Sequence, residues 1–294
     1  MIFFTFPQYE YIGNMLRKSP GSKKGAFAIK RYPNGEMHVT LGTDVRGQEC
    51  TILGAITPPD EQLLSFLFLA DTLKQQGARR VTALIPYLAY ARHDKILAKE
   101  SLGTAWVGGL LERSRIDSIT TLSLHSDEDR EYIPLPINSI SLSEIFTHII
   151  TERSLVDSTI VAPDEGAIDR CKAVKHTADI QVPIAYFKKR HTKTGTTLSP
   201  IVGTVTSSAI IIDDMIDTGQ TLIACCKKLK SLGVTRITIM VTHGLFTGDR
   251  WQQLFNLGVE RIYCTDSIPP ASLPKHPRIT IIPIAPLLQP ERSI

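Results

Sequence analysis

Apolar and polar positions alternate along this chain in blocks of two kinds. Short apolar runs, TILGAI (51–56), VTALIPYL (81–88) and ITTLSLH (119–125), are separated by longer stretches, Asp60–Gln76 and Gly103–Arg115, whose apolar residues return every three or four positions. The first kind predicts buried strands and the second amphipathic helices, so the chain reads as α/β with mostly parallel sheets flanked by helices. In the first helix Asp60 is placed to cap the start and Gly77 to stop the end, with Leu63, Leu64, Leu67, Ala70 and Leu73 as the buried stripe. The alternation resumes after about residue 142 with STIVAPDEG (158–166), a helix over 167–178, PIAYFKK (183–189), AIIIDD (209–214), a helix over 221–232 and RITIMVTHG (236–244).

The two sets are related. LKQQGARRVTALI (73–85) and LKSLGVTRITIMV (229–241) share Leu-Lys-x-x-Gly-small-x-Arg-β-branched-Thr, 156 residues apart, which predicts a duplicated domain. At the same offset the acidic loop that begins at Asp213 falls opposite Thr57-Pro58-Pro59, so the ligand chemistry of that loop is expected in the second half alone.

Composition agrees with a folded two-domain protein. The chain has 294 residues, 43% apolar and 21% charged, which excludes wholesale disorder, collagen and coiled coil. Net charge is +4, from 33 basic against 29 acidic residues, without long same-sign blocks, so neither nucleic acid nor a membrane surface is an expected partner. The opening MIFFTFPQYE lacks a basic leader pattern and no later window is apolar enough to span a bilayer, so the expected address is the cytoplasm. Five cysteines form no CxxC pair and are expected as buried, reduced thiols.

Candidate chemistry concentrates in AIIIDDMIDTGQTL (209–222). A buried strand ends in Asp213 and Asp214, and Asp217, Thr218, Gly219, Gln220 and Thr221 lead into a helix. Ligands of open α/β sheets bind beyond the carboxyl ends of strands, and free amides at a helix N-terminus hold anions. Gly219 permits a tight turn, Thr218 and Thr221 add neutral donors, and the paired carboxylates suit vicinal sugar hydroxyls or Mg²⁺. Arg92, His93 and Asp94 follow the strand at 81–88, where taken alone they read either as a solvated loop or as a place where a guanidinium grips phosphate in a fork. The basic run Lys188-Lys189-Arg190-His191 opens a loop rich in Thr, Gly and Pro and taken alone reads as a solvated face.

The segment 209–222 resembles the phosphoribosyl-binding loop of the phosphoribosyltransferase-fold family. LIPYLAYARHDK (84–95), RYPNGE (31–36), LSLH (122–125) and VAPDEGA (161–167) are similar, in order and spacing, to motifs of the ribose-phosphate diphosphokinase family. The resemblance implies two tandem phosphoribosyltransferase-like domains, 1–141 carrying the nucleotide side and 142–294 carrying the sugar-phosphate loop. It implies transfer of the diphosphoryl group of ATP to ribose 5-phosphate, with Mg²⁺, by a homo-oligomer whose adenine pocket is completed across a subunit interface.

By that resemblance Tyr32, Asn34 and Glu36 join Arg92, His93 and Asp94 as the ATP-contacting set, and Lys189 and Arg190 are catalytic cations on a closing loop. His125 and Asp164 are the metal positions, and Asp213, Asp214 and 217–221 bind ribose 5-phosphate. Several positions depart from the family pattern. Ser123 stands for Asp, Glu165 and Ala167 for His and Gly, His93 for Gln, Tyr32 and Asn34 for Phe and Asp, and Thr-Gly-Gln-Thr (218–221) for Thr-Ala-Gly-Thr. Two other readings compete: a non-catalytic regulatory homologue, which would be expected to lose the acidic loop or the cations, and a phosphoribosyltransferase acting on a base, which has no need of YARHDK.

Overall fold

A computed structural model describes residues 1–92, 100–126, 129–178, 183–192, 195–198 and 200–288, with backbone alone for 189–192 and 195–198. The chain divides into two compact units, Met1–Ile140 with Ile284–Ile294, and Ser141–Pro283.

The first unit contains β1 (Ile2–Thr5), β2 (Lys23–Lys24), β3 (Phe27–Arg31), β4 (Met37–Leu41), β5 (Glu49–Leu53), β6 (Arg80–Ile85), β7 (Ser118–Leu122) and β8 (Ile137–Ile140). Its helices are α1 (Glu10–Leu16), α2 (Glu61–Gln75), α3 (Gly103–Arg113) and α4 (Asp129–Tyr132). Among the described residues six of these strands form a parallel sheet in the order β2-β1-β5-β6-β7-β8, and β3 with β4 forms an antiparallel hairpin. Ile52, Val81, Ala83, Ile85 and Ile119 meet Phe66, Leu69 and Leu73 of α2 in one buried cluster, each large side chain contributing roughly 1.5–3 kcal/mol.

The stripe on α2 differs from the expected one. Leu63, Phe66, Leu69, Ala70 and Leu73 are buried while Leu64 is 48% exposed, because the three-and-four spacing from Leu63 runs through Phe66 and puts Leu64 on the outer face. Asp60 also departs from expectation. It makes no side-chain cap to α2, and its carboxylate instead accepts the hydroxyl of Tyr90. Gly77 ends the helix as expected, in a left-handed conformation with φ 88°.

The second unit repeats the plan. It contains α5 (Ser143–Glu152), β9 (Thr159–Ala162), α6 (Ile168–Ala178), β10 (Ile184–Tyr186), β11 (Lys189–Thr192), β12 (Gly195–Leu198), β13 (Ser208–Ile216), α7 (Gln220–Ser231), β14 (Arg236–Gly244), β15 (Val259–Thr265) and β16 (Ile279–Ile282). The described sheet is again parallel, in the order β10-β9-β13-β14-β15-β16, position for position the order of the first. Ser208 to Ile212 of β13 are all buried, the continuous apolar run of a strand covered on both faces.

Strand register refines the duplication. Glu49 pairs with Arg80 in the first sheet and Ser208 with Arg236 in the second, so Asp213 falls opposite Gly54 and not Thr57. The three-residue difference is taken up by α2, which has 15 residues against 12 in α7. Gly54-Ala55-Ile56-Thr57-Pro58-Pro59 thus occupies the place of Asp213–Thr218 and carries none of its carboxylates.

The Thr-rich segment after Lys188, expected as a loop, is an antiparallel hairpin of β11 and β12, in keeping with the β preference of its threonines. All five cysteines are free and buried. Among the described residues no helix is long and apolar enough to cross a membrane.

Candidate active site

The acidic loop of the second unit is built by its flanking elements. β13 ends at Ile216 and α7 begins at Gln220, leaving three residues, Asp217, Thr218 and Gly219, to turn the chain. Gly219 is the helix N-cap, left-handed at φ 79° and ψ 4°, and its carbonyl accepts the first helical bond from Ile223 at 2.8 Å. A Cβ at Gly219 would lie 2.9 Å from Trp251 Cα and 3.0 Å from Trp251 Cβ, so both the turn and the space demand glycine. No side chain caps α7, and the amides of its first turn, which have no intrahelical acceptor, converge with the positive helix dipole on the loop. Thr218 and Gln220 are exposed and Asp217 and Thr221 half-buried.

Three carboxylates gather behind this nest. Asp214 is 4% exposed, and its amide donates to Asp213 Oδ1 at 2.9 Å. The Asp213 carboxyl is held well above the usual carboxylate range, first by burial, then by the charge of Asp214, with Asp164 adding to the effect and Arg170 opposing it. Arg170 Nη1 lies 3.7 Å from Asp213 Oδ1, both side chains being largely buried. Asp164 precedes the 3₁₀ turn Glu165–Ala167 that follows β9, so the ends of neighbouring parallel strands deliver all three acids to one edge of the sheet. Arg170 was not anticipated from sequence. Its signal was a cation in the first turn of the helix that follows PDEGA.

An excess of oxygen donors with one nearby cation is chemistry that fits a hard divalent ion held partly by waters and substrate oxygens. Among the described residues no three His, Cys, Asp or Glu side chains form a ready-made metal cage.

The other expected positions each lie within one unit. Tyr32, Asn34 and Glu36 form the tip of the β3–β4 hairpin, where Tyr32 N–H donates to Glu36 O at 2.8 Å and Gly35, at φ 92°, makes the turn. Glu36 N–H donates to Asn34 Oδ1 at 3.2 Å, and Tyr32 stacks on His38 with ring centroids 4.4 Å apart. Arg92 is exposed at the end of the segment that follows β6, and His93 and Asp94 lie outside the described residues. Tyr90, at φ 71°, lies two residues before Arg92, its hydroxyl bonded to Asp60 and pushed up to about 12 chiefly by that bond. His125 is half-buried after β7 in the first unit, whereas Asp164 belongs to the second. Lys188 Nζ lies 3.9 Å from Glu165 Oε1, and the backbone of Lys189 and Arg190 opens β11.

Two like-ordered parallel sheets, one with a glycine-turned acidic loop at its carboxyl edge, define an α/β protein of phosphoribosyltransferase-like architecture. Residues 1–114 match the N-terminal domain of ribose phosphate pyrophosphokinase, and residues 151–290 match the phosphoribosyl synthetase-associated domain. The ribose-phosphate pyrophosphokinase of Chromobacterium violaceum is 31% identical over 270 residues, covering 90% of this chain and 82% of the relative. That of Thermosipho africanus is 30% identical over 285 residues, covering 95% and 86%. The crystal structure of phosphoribosylpyrophosphate synthetase from Mycobacterium smegmatis superposes with a TM-score of 0.86 at 26% identity, covering 98% of this chain and 95% of that one. The chain belongs to the ribose-phosphate pyrophosphokinase family and is an enzyme.

Proposed function

We propose that this enzyme transfers the β,γ-diphosphoryl group of ATP to the C1 hydroxyl of ribose 5-phosphate. The C1 oxygen releases its hydroxyl proton to solvent and forms a bond to the β-phosphorus, the bond from that phosphorus to the oxygen bridging it to the α-phosphorus breaks, and AMP leaves with that oxygen. The observation that carries the reading is the glycine-turned loop with its acidic backing at Asp213 and Asp214. The amides of Gly219 to Thr221, with the hydroxyls of Thr218 and Thr221, take the 5-phosphate. Asp213 and Asp214 accept the ribose hydroxyls, and Asp217 orders the turn between them.

Lys189 and Arg190 meet charge on the transferring group, while Arg92, His93 and Asp94 align the triphosphate, because phosphoryl-type transfer depends mostly on positioning and charge stabilisation. Tyr32, Asn34 and Glu36 contact adenine, in a homo-oligomer where one chain completes its neighbour's pocket. Asp164 and His125 are the positions that would each offer a ligand to Mg²⁺, which would neutralise phosphate charge. Five buried thiols support a reducing, cytoplasmic setting. The test is AMP release from ATP with ribose 5-phosphate and Mg²⁺. Release that requires the sugar phosphate, with the diphosphorylated sugar formed in equal amount, is expected, and no release above an ATP-only control overturns the reading.

A further inference from the structure

The anion loop is gripped at both ends from one place. Before it, the carbonyl of Ile216 accepts two amides, Leu245 N–H at 2.8 Å and Phe246 N–H at 3.2 Å. Phe246 achieves this in a left-handed conformation, φ 51°, which a non-glycine residue occupies only when its surroundings hold it. Its ring folds back over the end of β14, where a Cβ on Gly244 would come within 2.6 Å of Phe246 Cε2. Trp251 packs against that ring, edge-on, with centroids 4.9 Å apart at 67°. After the loop, the backbone and Cβ of the same Trp251 fill the space beside Gly219. The indole is 5% exposed and fixed in turn by Nε1–H donating to Gly248 O at 2.8 Å and by the ring of Phe255, 6.2 Å away.

We propose that Trp251 is the positioning residue of the anion loop, joining the Ile216 end to the Gly219 end so that the loop's amides are held for the sugar phosphate before it arrives. This rests on the sugar-phosphate reading of the loop. A loop held in advance loses little freedom on binding, so loosening it should weaken the ligand of this loop and leave other ligands alone.

The experiment compares Trp251→Leu, which removes the ring and the donor, with Trp251→Phe, which keeps a ring. Backbone amide exchange of peptides spanning residues 215–223 is measured without ligand, and dissociation constants for ribose 5-phosphate and for ATP by calorimetry. In Trp251→Leu the peptides should exchange faster and the ribose 5-phosphate dissociation constant and KM rise about tenfold or more, given the steep dependence of a bound geometry on small displacements. The ATP dissociation constant and kcat should stay near wild type. Trp251→Phe should recover most of the loss, and carries the test if the leucine variant does not fold. Unchanged exchange, or equal weakening of both ligands, overturns the inference. If the wild-type protein itself binds no ribose 5-phosphate, the proposed function fails and the exchange comparison still decides the role of Trp251.

Discussion

Gly219→Ala separates the two demands placed on this residue, conformation and space. The left-handed φ of 79° costs any L side chain about 1–2 kcal/mol. The new methyl would also stand 2.9 Å from Trp251 Cα, a backbone atom that cannot swing aside, adding roughly 1–3 kcal/mol of overpacking. Gly233, just past the end of α7, is the matched control, since its φ is 88° but a Cβ there would meet nothing within 4 Å. Gly233→Ala should therefore cost the conformational part alone. Thermal melts should place Gly219→Ala below Gly233→Ala by a few degrees, at about 4 °C per kcal/mol for a unit of this size. Ribose 5-phosphate affinity should fall at least about tenfold in the first variant and hold in the second. Equal melting temperatures would refute the contact with Trp251.

Asp213 makes a pH-dependent prediction. Burial and Asp214 raise its carboxyl, so the folded protein favours the protonated form; this contribution to stability is present at low pH and lost as pH rises through the raised value. Asp213→Asn should flatten that loss and raise the melting temperature at neutral pH while abolishing sugar-phosphate binding, and melts across roughly pH 4 to 8 that match wild type would contradict it. Phe66→Ala should cost about 3–5 kcal/mol and Leu64→Ala within about 0.5 kcal/mol in denaturant titrations, and the reverse order would restore the stripe read from sequence. Lys189→Ala and Arg190→Ala should each lower kcat by a factor on the order of 10² with substrate dissociation constants nearly constant, and near-normal single-turnover AMP release would remove both from the chemistry.

Much of this was legible in the sequence because fully buried strands and glycine-stopped helices leave dense local signals. The run Ile210-Ile211-Ile212 before two aspartates announces a central strand and the loop at its carboxyl end without any knowledge of its neighbours. Register was not legible from the repeat alone, since an offset fixed in the strands near Val81 and Ile237 slips by three residues once it crosses helices of unequal length. Arg170 and Trp251 escaped notice for a related reason. Each acts on the acidic loop from an element distant in sequence, and neither sits in a motif of its own. Leu64 misled because one apolar residue beside the true stripe looks, in one dimension, the same as a member of it.

The first unit is closed by residues drawn from both sides of the second. Ala285–Leu288, with Ala285 and Leu288 buried, packs against α1 near the beginning of the chain. During synthesis the second unit therefore has every residue it needs once Pro283 has emerged, while the first, begun much earlier, stays incomplete until Ala285–Leu288 is made. A stop or a protease cut just after Pro283 would spare the acidic loop and leave the first unit unfinished, so damage after residue 283 would surface as instability among residues far earlier in the chain.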